Sequence, residues 1–78
     1  MSATDYSRGL AKANKDISFF QKLHGLKKSR EVAEKHHDQA DQKMYRAMAQ
    51  NDVAAADFDR GQAMGYGMYA HTGKQLYH

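Results

Sequence analysis

The chain contains no cysteine, no proline and no tryptophan. Lacking cysteine, it has no disulfide framework and no thiolate-based zinc site. That suits a reducing compartment, and a cytoplasmic location is the expectation. Lacking proline, no segment carries the obligatory stop to helical hydrogen bonding. Long apolar runs are missing too. The longest stretch free of Asp, Glu, Lys and Arg is Gly61–Gly73, too short and too polar for a membrane span, which takes about 20 apolar residues. No apolar signal-peptide core lies near Met1.

What is present amounts to 78 residues, enough for one small domain covering 1–78. A core of this size supplies only about 3–5 kcal/mol, so association with a partner or with another copy is a natural reinforcement. The net charge is +3, and its distribution says more than its sum. Residues 1–30 carry Arg8, Lys12, Lys15, Lys22, Lys27, Lys28 and Arg30 against Asp5 and Asp16, a net of +5. Residues 31–59 carry seven acids against Lys35, Lys43 and Arg46, a net of −4. A basic end beside an acidic middle can steer a partner or pair across the fold.

Apolar spacing predicts an all-α, three-helix domain. Ala3, Tyr6, Leu10, Ala13, Ile17, Phe20 and His24 step by three and four, one apolar stripe along a helix. Ser2 with Asp5 resembles a capping box at its start, and Gly25 suits a left-handed cap just past its end. The first helix is placed at about 3–24. In the second, at about 28–50, Ala33, His37, Ala40, Met44, Ala47 and Asn51 repeat the spacing. The third, at about 52–72, carries Ala54, Phe58, Gly61, Gly65, Met68 and Thr72; residues 73–78 are a tail. Across the last two, Ala33, Ala40, Ala47, Ala54 and Gly61 recur in a seven-residue register. Small side chains in that register predict a closely packed antiparallel hairpin of the second and third helices, an Ala/Gly seam. Each interior glycine costs about 1 kcal/mol against alanine. Gly61, Gly65 and Gly67 are therefore tolerable only where close packing offsets them, or where the helix kinks or ends at Gly65–Gly67.

Catalytic constellations are lacking. None of Ser2, Ser7, Ser18 and Ser29 stands in a Gly-x-Ser-x-Gly turn. Gly61-Gln-Ala-Met-Gly65 lacks the Lys-Ser/Thr that completes a phosphate loop. Asp57 and Asp59 point to different helix faces. His37 and Asp41 lie one turn apart, with His36 beside them and His71 or His78 able to approach, yet such a pair is common and there is no HExxH. No enzyme, no metal site and no cofactor are expected.

Two surfaces are candidates for binding. On the first helix Arg8, Lys12, Lys15 and Lys22 lie opposite the apolar stripe with Phe19 among them, and Lys27, Lys28 and Arg30 extend the positive charge around the following turn. An apolar anchor ringed by cations is what a docking face needs. The second surface is the C-terminal segment with Tyr66, Met68 and Tyr77, residue types enriched at interface cores. The leading expectation is a non-catalytic interaction protein. It would dock on a larger protein assembly or on copies of itself, in the manner of accessory subunits and of inhibitors encoded by phages or mobile elements. The alternative is nucleic-acid binding through the same cations. Against it stand the acidic second helix and a single aromatic, Phe19, on the basic face.

Overall fold

A computed structural model describes residues 3–75. Those residues form two helices, α1 (Ala3–Ala49) and α2 (Val53–Thr72). The helix count is therefore two, where the spacing predicts three. A straight helix of 47 residues would run about 70 Å, yet the longest dimension of the molecule is 38 Å. The difference is made at Gly25, the one residue inside α1 with non-helical dihedrals (φ 80°, ψ 175°). That region of backbone space is open essentially to glycine alone. No loop intervenes, so α1 folds back on itself as two arms, 3–24 and 26–49. Phe20 and His36 would be about 24 Å apart along an unbroken helix, but their rings meet with centroids 4.8 Å apart.

The end of α1 and the start of α2 form one compact turn. Asn51 takes a positive φ of 59°, and the Asp52 and Asn51 amides donate to the carbonyls of Ala47 (2.9 Å) and Met48 (3.0 Å). This is the double bond of a left-handed helix cap. Asp52 then caps α2, its carboxylate accepting from the Ala55 amide at 3.2 Å. At the far end Gly73 (φ 73°) closes α2 by donating to the Tyr69 carbonyl. Arg30 adds to that cap from the second arm. Its Nη2 reaches the Ala70 and His71 carbonyls at 3.0 and 2.9 Å, placing a cation at the negative end of the helix dipole. The α2 helix is continuous through Gly65 and Gly67.

The core draws on all three rods. The first arm supplies Leu10, Ala13, Ile17 and Phe20, the second Ala33, Ala40 and Ala47, and α2 Ala56, Ala63, Tyr66 and Tyr69. The heptads of both arms thus lie inward, apart from exposed ends such as His24 and Asn51. In α2 the register differs: Ala54 is exposed, and the buried alanines are Ala56 and Ala63.

Gly61 and Gly65 are buried, but the helix they approach is the first arm, in parallel orientation, and not the second. A Cβ on Gly61 would lie on the Tyr6 carbonyl oxygen and 2.8 Å from the Leu10 amide nitrogen. From the other side, a Cβ on Gly9 would lie on the Phe58 carbonyl oxygen and 3.0 Å from the Gln62 amide nitrogen. One step on, a Cβ on Gly65 would be 2.7 Å from Ala13 Cβ. Backbone therefore meets backbone where Gly9 and Gly61 interlock. The second arm does pack antiparallel to α2, and its tightest glycine contact is a side chain over Gly67, the ring of His37. At the Gly25 end the Tyr69 hydroxyl ties the rods together: Gln21 Nε2 donates to it at 3.1 Å and Ser29 Oγ lies 2.7 Å away.

Candidate partner-binding surface

Lys12, Lys15, Phe19, Lys22 and Leu23 fall within about one third of the helix circumference, on the side of the first arm away from the buried stripe. Phe19 is 60% exposed, Leu23 62% and Leu26, just past Gly25, 72%. Phe19 and Leu23 are one turn apart and adjoin on the surface. Leucines at 23 and 26 could have packed beneath α2. Leu23 instead follows the outward side of the first arm and Leu26 lies exposed just past the reversal at Gly25, so the exposed apolar side chains there are more than Phe19 alone. The i,i+4 spacing of Phe19 and Leu23 is the sequence signal for that enlargement.

The seven cations of the basic half do not all remain available. Arg8 lies 3.9 Å from Asp5, Lys12 2.8 Å from Asp16 and Lys28 3.4 Å from Glu31. Arg30 is committed to the α2 carbonyls. Among the described residues Lys15, Lys22 and Lys27 have no acidic partner, and these three border Phe19, Leu23 and Leu26. Four charges of the basic half are thus engaged: Arg8, Lys12 and Lys28 by neighbouring acids, and Arg30 as a cap.

Asp16 links the surface to the core. It accepts from Lys12 Nζ at 2.8 Å and from the Tyr66 hydroxyl at 2.6 Å. Burial pushes its carboxyl up, but the hydrogen bonds from Lys12 and Tyr66 and the charges of Lys12 and His36 outweigh burial, and its pKa is lowered. The Tyr66 phenol is pushed far above its usual value by burial and by Asp16. Tyr66 is only 1% exposed, which corrects its assignment as a partner contact: it is a core side chain whose ring stacks near Phe20 and His36. Tyr77 lies outside the described residues, as do Ser2 and His78. Met68 is half-buried and lines a cleft of about 390 Å³ between the second arm and α2.

The histidines are dispersed. His36 sits at the core edge with Nδ1 2.9 Å from the Val32 carbonyl, whereas His37 faces the cleft. Among the described residues no three His, Cys, Asp or Glu side chains gather as a metal site. No helix of the described residues is long and apolar enough to cross a membrane. Comparison with protein-family models, curated proteins and solved structures finds no match to this chain.

Proposed function

We propose that this chain is a non-catalytic protein-interaction module, an accessory subunit or inhibitor that docks on a larger protein through the face built by Phe19, Leu23 and Leu26. The observation that carries this reading is the grouping of three large, exposed apolar side chains at the Gly25 end, beside the three lysines that no acid neutralises. Monomeric proteins seldom expose such a cluster without use. The partner surface has an apolar pocket for Phe19 and acidic groups around it. The apolar anchor supplies affinity, and Lys15, Lys22 and Lys27 supply association rate and register. Self-docking is the form the same reading takes if the acceptor is a second copy.

The test compares the wild-type chain with Phe19→Ser/Leu23→Ser. Both positions are exposed, so the variant keeps its helicity and its unfolding transition. Affinity capture from the native host, read by mass spectrometry, recovers a partner with the wild type and loses it with the variant; self-docking shows as a dimer in sedimentation that the variant abolishes. Equal recovery by both proteins with both monomeric overturns the reading. Nucleic-acid binding through the basic face is the alternative, and three free lysines are few for phosphate neutralisation. Binding to duplex DNA that falls steeply between two salt concentrations supports that alternative.

A further inference from the structure

The cleft between the second arm and α2 is rich in methionine and histidine. Three of the five methionines, Met44, Met64 and Met68, line it together with His37 and His71. Met64, Met68 and His71 are spaced i, i+4, i+7 and share one strip of α2; His37 and Met44 are spaced i, i+7 and share a strip of the facing arm.

His37 is held as a ligand would be. Its ring lies over Gly67, where a Cβ would come 2.9 Å from Cδ2 and 3.3 Å from Nε2. The absent side chain lets the imidazole approach the turn of α2 that carries Met64 and Met68. On its other edge Nδ1 is 3.2 Å from Asp38 Oδ1. A proton on Nδ1 donated to that carboxylate would leave Nε2 as the nitrogen with a free lone pair. A carboxylate behind an imidazole in this way orients metal-binding histidines and raises their basicity. The cation that also lines the cleft, Arg60, is engaged by Asp57 at 3.0 Å, and Asp41 brings a negative charge to the wall.

The donors select the metal. Nitrogen and oxygen donors do not assemble in threes among the described residues, which leaves little for zinc, calcium or magnesium. Thioethers are soft donors that favour monovalent copper, and without cysteine they are the only sulfur atoms in the chain. We propose that His37 Nε2 and the thioethers of Met64 and Met68 form a binding site for Cu(I), with Met44 and His71 at its rim. This site is independent of the Phe19 face, and its test does not involve that face.

The experiment uses the full chain with 13C-methyl-labelled methionine. Ag(I), a redox-inert cation of the same charge and softness, is titrated while the methyl signals are followed by NMR. Met48 lies outside this cleft, against Val53 and Asp57, and serves as the internal control. The methyls of Met64 and Met68 are expected to shift and saturate at one equivalent while Met48 stays in place. In parallel, the protein withdraws Cu(I) from its coloured bicinchoninate complex. Met64→Leu/Met68→Leu conserves volume, retains the fold by circular dichroism and loses that competition. Asp38→Asn, on an exposed side chain, lowers affinity about 10–100-fold with the unfolding temperature unchanged. The proposal is overturned if the protein fails to compete with bicinchoninate. It is overturned equally if Met48 shifts in step with Met64 and Met68, the mark of binding at any exposed thioether, or if the double leucine variant binds as tightly as the wild type.

Discussion

Gly61→Ala destabilises the domain although it removes a glycine from a helix. Helix propensity alone favours alanine by about 1 kcal/mol. Against that, the new methyl would meet backbone: the Tyr6 carbonyl, and the Leu10 amide nitrogen at 2.8 Å. Comfortable carbon contacts need about 3.5–4.0 Å, so the first arm and α2 must separate by about 1 Å. Gaps of about that size forfeit a quarter to a half of each dispersion contact along the seam. Overpacking of this kind costs about 1–3 kcal/mol. With rigid backbone as the obstacle the upper end applies, leaving a net loss of about 2 kcal/mol after the propensity gain. A domain of this length has a total stability of about 4–12 kcal/mol at typical values per residue. The loss is therefore measurable without abolishing folding. With a urea m-value near 1 kcal/mol/M, the midpoint seen by circular dichroism moves down by about 2 M. Gly9→Ala, across the same seam, behaves alike, and the double variant loses less than the sum because one separation relieves both clashes. Gly67→Ala is the control, because the nearest atoms to its methyl belong to a side chain, the His37 ring, and not to backbone. If Gly61→Ala unfolds at a higher urea concentration than the wild type, the close approach is not there.

Two further predictions concern ionisable groups. Tyr66→Phe removes the 2.6 Å hydrogen bond to Asp16, a bond to a charged acceptor worth about 1.5–3 kcal/mol. The lowered pKa of Asp16 means that its contribution is present above the unfolded-state value and lost as pH falls through the folded one. The gap between wild type and variant in urea titrations therefore narrows toward acid pH; a pH-independent gap refutes the link. Asp59 is the opposite case. Burial raises its pKa, and Lys43 and the hydrogen bond from Gln62 only partly oppose this. The native state thus binds that proton more readily than the unfolded chain, and stability falls as pH rises through the interval between the two values. Asp59→Asn keeps the acceptor for Gln62, stabilises the domain at neutral pH and gains nothing at pH 3. A variant less stable than wild type at neutral pH contradicts this.

The stripes of the two arms were legible in the sequence because each arm packs inward through one face. Leu10, Ala13, Ile17 and Phe20, and then Ala33, Ala40 and Ala47, follow three–four spacing into the core. The α2 helix was harder to read because it touches both arms. Gly61 and Gly65 face one arm, while Ala63 and Gly67 face the other. A single heptad cannot represent two faces, and the turn at Asn51–Asp52 resets the phase, so Ala54 points outward. Gly9 gave no signal of its own, since a lone glycine in a helical pattern does not say what it approaches. The reversal at Gly25 was legible as a break but not as a one-residue fold-back. Of the binding face, Phe19 and the positive charge were visible, but the pairing of Lys12 with Asp16 and the capping by Arg30 depend on the packed structure. The interior role of Tyr66 and the hydroxyl contacts of Tyr69 join residues 40 and more positions apart, a separation at which local spacing carries no information.

Both the exposed face and the methionine cleft exist only if α1 doubles back at Gly25 and lays Gly9 against α2. The most direct measurement of that arrangement is the nuclear Overhauser contact of the Gly9 α-protons in the labelled full chain. Strong cross-peaks from Gly9 to Phe58, Gly61 and Gln62, together with contacts between the Phe20 and His36 rings, are the predicted result. Gly9 protons with no contact to α2, and sequential helical contacts running unbroken through Gly25, would contradict it.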